Sequence, residues 1–276
     1  MRLLVILLAI FICSCNSKVE TLKIKGSDTE VNLVVLLAEQ FHLENAKILV
    51  SISGGGSGLG IASLLNGNAD IANSSRSMKS DELALFEKNN IAIDSFIFAQ
   101  DAIAFVVSEQ ISLDSISTTT IAKILNGTLN DWSKLNQAPN EIIIYGRQSN
   151  SGTHDFIKKV LGIQFSPYAK QMNGNAQILE AIKQDNTGIG YVSAGYVING
   201  NANGIKVLKV YHENSSAISP LDLKAIASNK YFFQRPLFQY YRKNDIQKVE
   251  QFLQFEKSII GKKIIQKSGY YPVLSL

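Results

Sequence analysis

Short runs of strand type alternate with segments of helical period along almost the whole chain of 276 residues, and no other feature limits its fold as strongly. The strand-type runs occupy residues 22–25, 48–53, 70–73, 96–99, 103–107, 142–145, 188–192 and 205–210. Helical periodicity marks residues 31–41, 59–65, 81–88, 120–125, 155–161, 176–183 and 245–258. Strands alternating with helices of this length build α/β sheets whose faces are covered by the helices. At 46% hydrophobic and 18% charged residues, the chain has enough apolar surface to bury and is not a disordered one. Two extended stretches interrupt the alternation, 97–104 (IFAQDAIA) and 232–241 (FFQRPLFQYY). They read as the two crossings of a bilobed fold, in which the chain leaves one lobe, builds a second and returns. The expected division is lobe I over 22–100, lobe II over 101–232, and a return into lobe I over 233–276.

The segment MRLLVILLAIFICSC at the start has one cation, Arg2, followed by an unbroken apolar run over residues 3–12. Such a run rises about 15 Å as a helix, half of a ~30 Å bilayer core, which suits a secretory signal and not a membrane span. Its end, Ile12-Cys13-Ser14-Cys15, resembles a relaxed bacterial lipobox. The expectation is a signal peptide over 1–14, then a lipidated tether over 15–21 with Cys15 as the modified residue. Cleavage by an ordinary signal peptidase, without lipid, is the alternative. Both cysteines lie in this segment, which leaves no disulfide framework and no cysteine metal site for the rest.

Four loops share a pattern of Gly, Ser and Thr. Gly26-Ser27-Asp28-Thr29 precedes the helix at Val31, and Gly54-Gly55-Gly56-Ser57-Gly58 precedes the helix at Leu59. Asn73-Ser74-Ser75-Arg76 follows a strand, and the loop from Arg147 to Thr153 precedes the helix at Asp155. A helix start carries unpaired N–H groups and the positive end of the macrodipole, so it attracts anions. Glycine lets the backbone approach a ligand, and hydroxyls add uncharged donors. Any one of these Ser or Thr residues could be a simple N-cap; four such loops in one chain point to an oxyanion. The formal charge of +4 says little, but its make-up is informative, because only five of the 27 cationic residues are Arg. Arg76 and Arg147 lie inside Ser-rich loops, where a planar fork can grip a tetrahedral oxyanion. Arg235 and Arg242 read as solvated surface residues.

These loops, above all Arg147-x3-Ser151-Gly152-Thr153, resemble the phosphate-binding lipoproteins of bacterial ABC phosphate importers. The likeness runs in order along nearly the whole mature chain and includes the pieces ILNGTLNDWSKL (124–135) and TGIGYV (187–192). It implies a periplasmic-binding-protein type II fold: two α/β lobes, a hinge of two crossings, and the ligand between them. It also implies a phosphate site made of the Thr29 hydroxyl, the Glu30 amide, Ser57, Ser75, Arg147, Ser151, the Gly152 N–H and Thr153, with Arg76 as a further cation. Many members of the family carry an Asp in the third loop, which accepts the proton of hydrogen phosphate and repels sulfate. Here Ser75 stands there, so Asp101 and Asp28 are the candidate acceptors, and selectivity over sulfate is open.

The chain is expected to bind and deliver phosphate without catalysis and without a cofactor. Ser151, His154 and Asp155 invite a triad, but triads are assembled across space and not from neighbours at a helix start. Neither G-x-S-x-G nor a nucleotide-binding glycine motif is present. His42, His154 and His212 are far apart and lack metal-ligand spacing. The lysines form no basic face for nucleic acid. The implied partners are inorganic phosphate, the membrane subunits of an ABC permease, and the membrane through Cys15, for a monomer anchored in the periplasm of the bacterial envelope. The alternatives are a receptor for another tetrahedral oxyanion, sulfate or molybdate, or a surface sensor or adhesin on the same fold.

Overall fold

Lobe I begins with three strands, β1 (Glu20–Gly26), β2 (Ile48–Ser53) and β3 (Ile71–Ser74), paired in parallel with β1 in the middle. Helices α1 (Val31–Glu44), α2 (Ser57–Leu65) and α3 (Ser80–Lys88) follow them in turn. The 16-residue strand β4 (Ile93–Ser108) then carries the chain away. Lobe II contains β5 (Ser115–Ser117), α4 (Thr118–Leu125), β6 (Ile143–Arg147), α5 (Gly152–Leu161), β7 (Lys170–Met172) and α6 (Asn175–Gln184). It continues with β8 (Gly188–Ser193), α7 (Ala194–Asn199), β9 (Ile205–Tyr211) and α8 (Leu223–Ala227). Strand β10 (Gln234–Arg242) leads back to α9 (Ile246–Lys257), α10 (Ile259–Lys267) and β11 (Tyr271–Pro272). The computed structural model describes residues 20–200 and 202–273. The expected signal peptide, Cys15 and most of the tether lie outside the described residues.

One continuous sheet runs in the order β2-β1-β3-β10-β4-β8-β6-β7, and β4 is its pivot. The first part of β4 pairs antiparallel with β10 and β11, and its last part pairs antiparallel with β8 and β9. The two runs expected at 96–99 and 103–107 are therefore one strand. Gln100 and Asp101 between them look like a break in the apolar pattern, but Asp101 is fully buried. The helix beginning at Ile259 was not expected; Ser258 caps it by accepting from the Gly261 amide at 3.1 Å.

Packing follows the same division. Helix α1 buries Leu33, Val34, Leu37, Ala38 and Phe41, a stripe of helical spacing. Phe41 meets Phe252 and Phe255 of α9 edge-on, with centroids 5.2 and 5.5 Å apart. The buried cluster of lobe II draws on residues from Ala102 to Phe233 together with Tyr271. The two clusters of lobe I draw only on residues before Ala102 and after Phe233. Two lobes thus have separate interiors, joined by β4 and β10.

In both lobes the parallel strands deliver the chain to helix starts at their carboxyl ends, the side on which open α/β sheets place ligands. Close packing of helix on strand sets where those starts lie. A methyl group at Gly60 of α2 would lie 2.5 Å from the Lys25 carbonyl oxygen and 2.6 Å from the Gly26 Cα, both backbone atoms of β1. Gly60→Ala is expected to destabilise the protein by about 1–3 kcal/mol through overpacking, measured as a lowered urea midpoint with an unchanged slope.

Candidate functional site

Each loop of the cleft has a local reason for its shape. Gly26, at φ 140°, has no room for a side chain against the Asn73 backbone, and the Ser27 amide donates to the Asn73 carbonyl at 2.9 Å. This brings the Ser27–Thr29 turn against β3. Gly55 and Gly56 also have positive φ, and the Gly56 amide donates to the Gly26 carbonyl at 2.9 Å, which sets buried Ser57 at the start of α2. The Ser75 amide donates to Ser57 Oγ at 3.1 Å. In lobe II, Ser151 caps α5 by accepting from the Thr153 amide at 3.2 Å.

These pieces converge. The Ser27 hydroxyl donates to Ser75 Oγ at 3.0 Å, and Ser57 Oγ lies 3.5 Å from Ser75 Oγ. Across the cleft, Thr29 Oγ1 of lobe I lies 3.3 Å from Thr153 Oγ1 of lobe II. Gly152, the first residue of α5, is so close to lobe I that a Cβ there would collide with the hydroxyls of both Ser57 and Ser75. The positive end of α5 is thus aimed at a group of lobe I hydroxyls, with Thr29, Ser57, Ser75 and Thr153 all buried. The expected residues Thr29, Ser57, Ser75, Ser151, Gly152 and Thr153 are brought together, although the Ser151 hydroxyl is engaged as a cap. The Glu30 amide donates to the Ser27 carbonyl at 3.2 Å within the turn.

The arginines of the two Ser-rich loops are both engaged with carboxylates. Arg147 is buried at the cleft, with its Nη1 3.3 Å from Asp28 Oδ2 and its Nη2 donating to the Asn173 carbonyl at 2.9 Å. Asp28 is a joint between lobes: its Oδ2 also accepts from the Asn175 amide and side chain at 2.8 and 2.7 Å, and its carbonyl accepts from Tyr196 Oη at 2.8 Å. Arg76 turns to carboxylates, donating to both oxygens of Glu82 at 2.7 Å and pairing through Nε with Asp155 of lobe II at 2.9 Å. Lys79 meets the same Asp155 oxygen at 2.6 Å. Arg76 therefore fastens the rim of the cleft.

Arg235 corrects the sequence reading outright. It is 1% exposed, and its Nη2 lies 3.1 Å from Thr29 Oγ1 and 3.0 Å from Thr153 Oγ1. Its Nε and Nη2 also donate to Asp101 Oδ2 at 3.1 and 2.8 Å. A signal was available in the sequence. An Arg inside the apolar run FFQRPLFQYY has no exposed place in a core strand, so it must be paired. The same holds for Asp101 in IFAQDAIA. Asp101 accepts from Ser193 Oγ at 2.6 Å through its other oxygen, so both oxygens are committed to structural partners. Burial pushes its carboxyl upward, while Arg235 and Ser193 oppose that shift.

The triad pattern is not assembled. Asp155 pairs with Arg76 and Lys79, Ser151 caps its helix, and the His154 ring stacks on Phe165 at 4.3 Å. Among the described residues no group of His, Cys, Asp and Glu could hold a metal ion, and no helix is long and apolar enough to cross a membrane.

Comparison with known proteins gives a consistent picture. The PBP superfamily domain model matches residues 15–257. The chain is 27% identical over 271 residues to the phosphate-binding protein PstS of Borreliella burgdorferi, spanning 95% of this chain and 93% of that protein. It is 26% identical over 251 residues to the PstS of Staphylococcus aureus strain USA300, spanning 89% and 76%. Among solved structures, a substrate-binding protein from Clostridium perfringens with bound phosphate superposes with a TM-score of 0.83 at 21% identity, covering 92% of this chain and 100% of that one. A phosphate transport receptor from Vibrio cholerae gives a TM-score of 0.71 at 24% identity, covering 91% and 100%.

Two further carboxylates lie beneath the site. Glu30 is fully buried beside the Ser27 hydroxyl; Glu256 is equally buried and accepts from Gln239 Nε2 at 3.0 Å. Burial holds both well above the ordinary carboxylate range; the Ser27 hydroxyl and Arg235 oppose the shift at Glu30, and Gln239 and Lys257 oppose it at Glu256. The folded state therefore binds more protons than the unfolded one from the ordinary glutamate value upward, and stability must fall as pH rises through that window. The melting temperature is expected to be higher near pH 5 than near pH 8, and Glu256→Gln should flatten the profile. A melting temperature that rises over this range, in scanning calorimetry, would contradict the assignment.

Proposed function

Since the chain belongs to the PBP superfamily, we propose that it is an extracytoplasmic receptor that binds inorganic phosphate between its lobes and delivers it to an ABC permease for uptake. One observation carries this reading: hydroxyl and N–H donors from both lobes meet where Gly152 abuts Ser57 and Ser75. The names of the relatives, phosphate-binding and phosphate-transport proteins from several bacteria, agree with a tetrahedral oxyanion as the ligand. Phosphate would be held by the hydroxyls of Thr29, Ser57, Ser75 and Thr153 and by the Gly152 N–H, with the Glu30 amide closing the first turn and Ser151 shaping the start of α5. Each hydrogen bond to a charged partner contributes about 1.5–3 kcal/mol, and a water-excluding cleft strengthens them all.

Closure and binding are linked, because donors of both lobes reach the anion only when the lobes meet. Arg147 with Asp28, and Arg76 with Asp155, would make the closed state a single arrangement, and Arg147 adds positive charge beside the cage. The lobe division taken is 22–100 with 233–276, and 101–232. The chain acts as a carrier with no chemistry of its own and needs no cofactor. It works as a monomer held at the membrane by lipid on Cys15; Cys15→Ala should release it from the membrane fraction, and unchanged retention would refute the anchor.

Equilibrium calorimetry of phosphate against sulfate and molybdate tests the ligand. Phosphate should bind with the greatest affinity. Absence of heat with every oxyanion, or preference for one of the other two, would overturn the reading. Gly152→Ala should cost about a hundredfold or more in phosphate affinity, since the added methyl keeps the lobes apart, with the melting temperature of the empty protein little changed.

A further inference from the structure

Phosphate binding in the cleft leaves Arg235 without a role, and the role argued for it rests on that phosphate reading. Arg235 and Asp101 are register partners in the antiparallel pair of β10 and β4, the two strands that cross between the lobes. Both are buried. Every arm of the guanidinium is engaged: Nε and Nη2 on Asp101, Nη1 on the Ser75 carbonyl at 3.2 Å, and Nη2 also on the hydroxyl oxygens of Thr29 and Thr153. Phe156 of α5 covers the guanidinium face at 5.6 Å. Of the two threonines, one is in the first lobe and the other in the second, so the crossing strands hold a single side chain that touches both halves of the cleft.

A hydroxyl has one hydrogen to give and two lone pairs to accept with. An oxygen that accepts from Arg235 must direct its own hydrogen elsewhere. Nη2 has two N–H groups, one facing Asp101 and the other shared by the two threonine oxygens, which lie 3.3 Å apart and keep their own hydrogens free to point toward each other or into the cleft. Asp101 neutralises the guanidinium, so the pair orients donors without adding net charge to the cage. We infer that Arg235 is a positioning residue for anion binding: mounted on the hinge and held by Asp101, it fixes the Thr29 and Thr153 hydroxyls as donors toward the anion and couples anion binding to closure.

This role is distinct from a bulk structural one, because it makes the Thr153 hydroxyl depend on Arg235. The test is phosphate calorimetry on the full folded chain in a thermodynamic cycle. Arg235→Lys keeps a cation beside Asp101 but lacks the fork that reaches both threonines. The double variant Arg235→Met with Asp101→Leu removes the pair together and leaves no unpaired buried charge. Each is combined with Thr153→Val, and circular dichroism with melting temperature reports the fold. Both Arg235 backgrounds should bind phosphate about a hundredfold more weakly than wild type. Thr153→Val should cost about tenfold in the wild type and little in either background, a coupling that a merely structural arginine would not produce. Wild-type affinity in Arg235→Lys, or losses that simply add, would overturn the inference while leaving the phosphate site standing. A wild-type protein that binds no phosphate would remove both together.

Discussion

The buried ion pair between Arg235 and Asp101 organises the middle of this molecule. A charge in a dry interior persists only when it is paired and its remaining hydrogen-bonding groups are satisfied. Asp101 meets that condition through Arg235 and Ser193, and Arg235 meets it through Asp101, the Ser75 carbonyl and two threonine hydroxyls. The pair therefore ties together β4, β10, β8, the third cleft loop and the starts of helices in both lobes. It also sits where β10 pairs with β4, the strand that feeds both interiors, at the point where the buried clusters part. The adjacent register shift, between Leu237 and Phe238, lies on the lobe I side of the pair.

The electrostatic plan of the cleft depends on that arrangement. Its cations are committed to carboxylates: Arg147 to Asp28, Arg76 to Glu82 and Asp155, Arg235 to Asp101. What remains for a ligand is a set of neutral dipoles, the hydroxyls and the helix starts. Neutral donors arranged in advance can surround a dianion without drawing in counter-charges that would then need to be expelled. Glycine makes the geometry attainable at two places. Gly26 lets the first turn lie on the Asn73 backbone, and Gly152 lets a lobe II helix touch lobe I hydroxyls.

The sequence was most legible where periodicity governs. The strand expected over 48–53 has those bounds in the structure, and helices α1 to α6 appear where their periodicity lies, extended by up to three residues at their ends where caps and turns decide the boundary. It failed at β4, which was read as two strands. Apolar patterning takes a polar residue as an interruption, whereas Asp101 belongs to the interior because a partner far along the chain neutralises it. Arg235 was misread for the same reason. That Thr29, Ser57, Ser75 and Gly152 gather at one place was legible because loops rich in Gly, Ser and Thr carry their meaning locally. The partners of Arg76 and Arg147 were not legible, since Asp155 and Asp28 reach them only across the cleft.

By itself, then, the amino-acid sequence determined the α/β character, the loops that end in oxyanion-type helix starts, and the likeness to phosphate-binding proteins, because each of these rests on residues close together in the chain. Tertiary structure alone decided which charges face the cleft. A guanidinium acts through whatever lies within about 3 Å of it, and for Arg235 those neighbours lie 82, 134 and 206 residues away. No local pattern encodes separations of that length. They come into being when two crossing strands pair and the lobes close on one buried arginine.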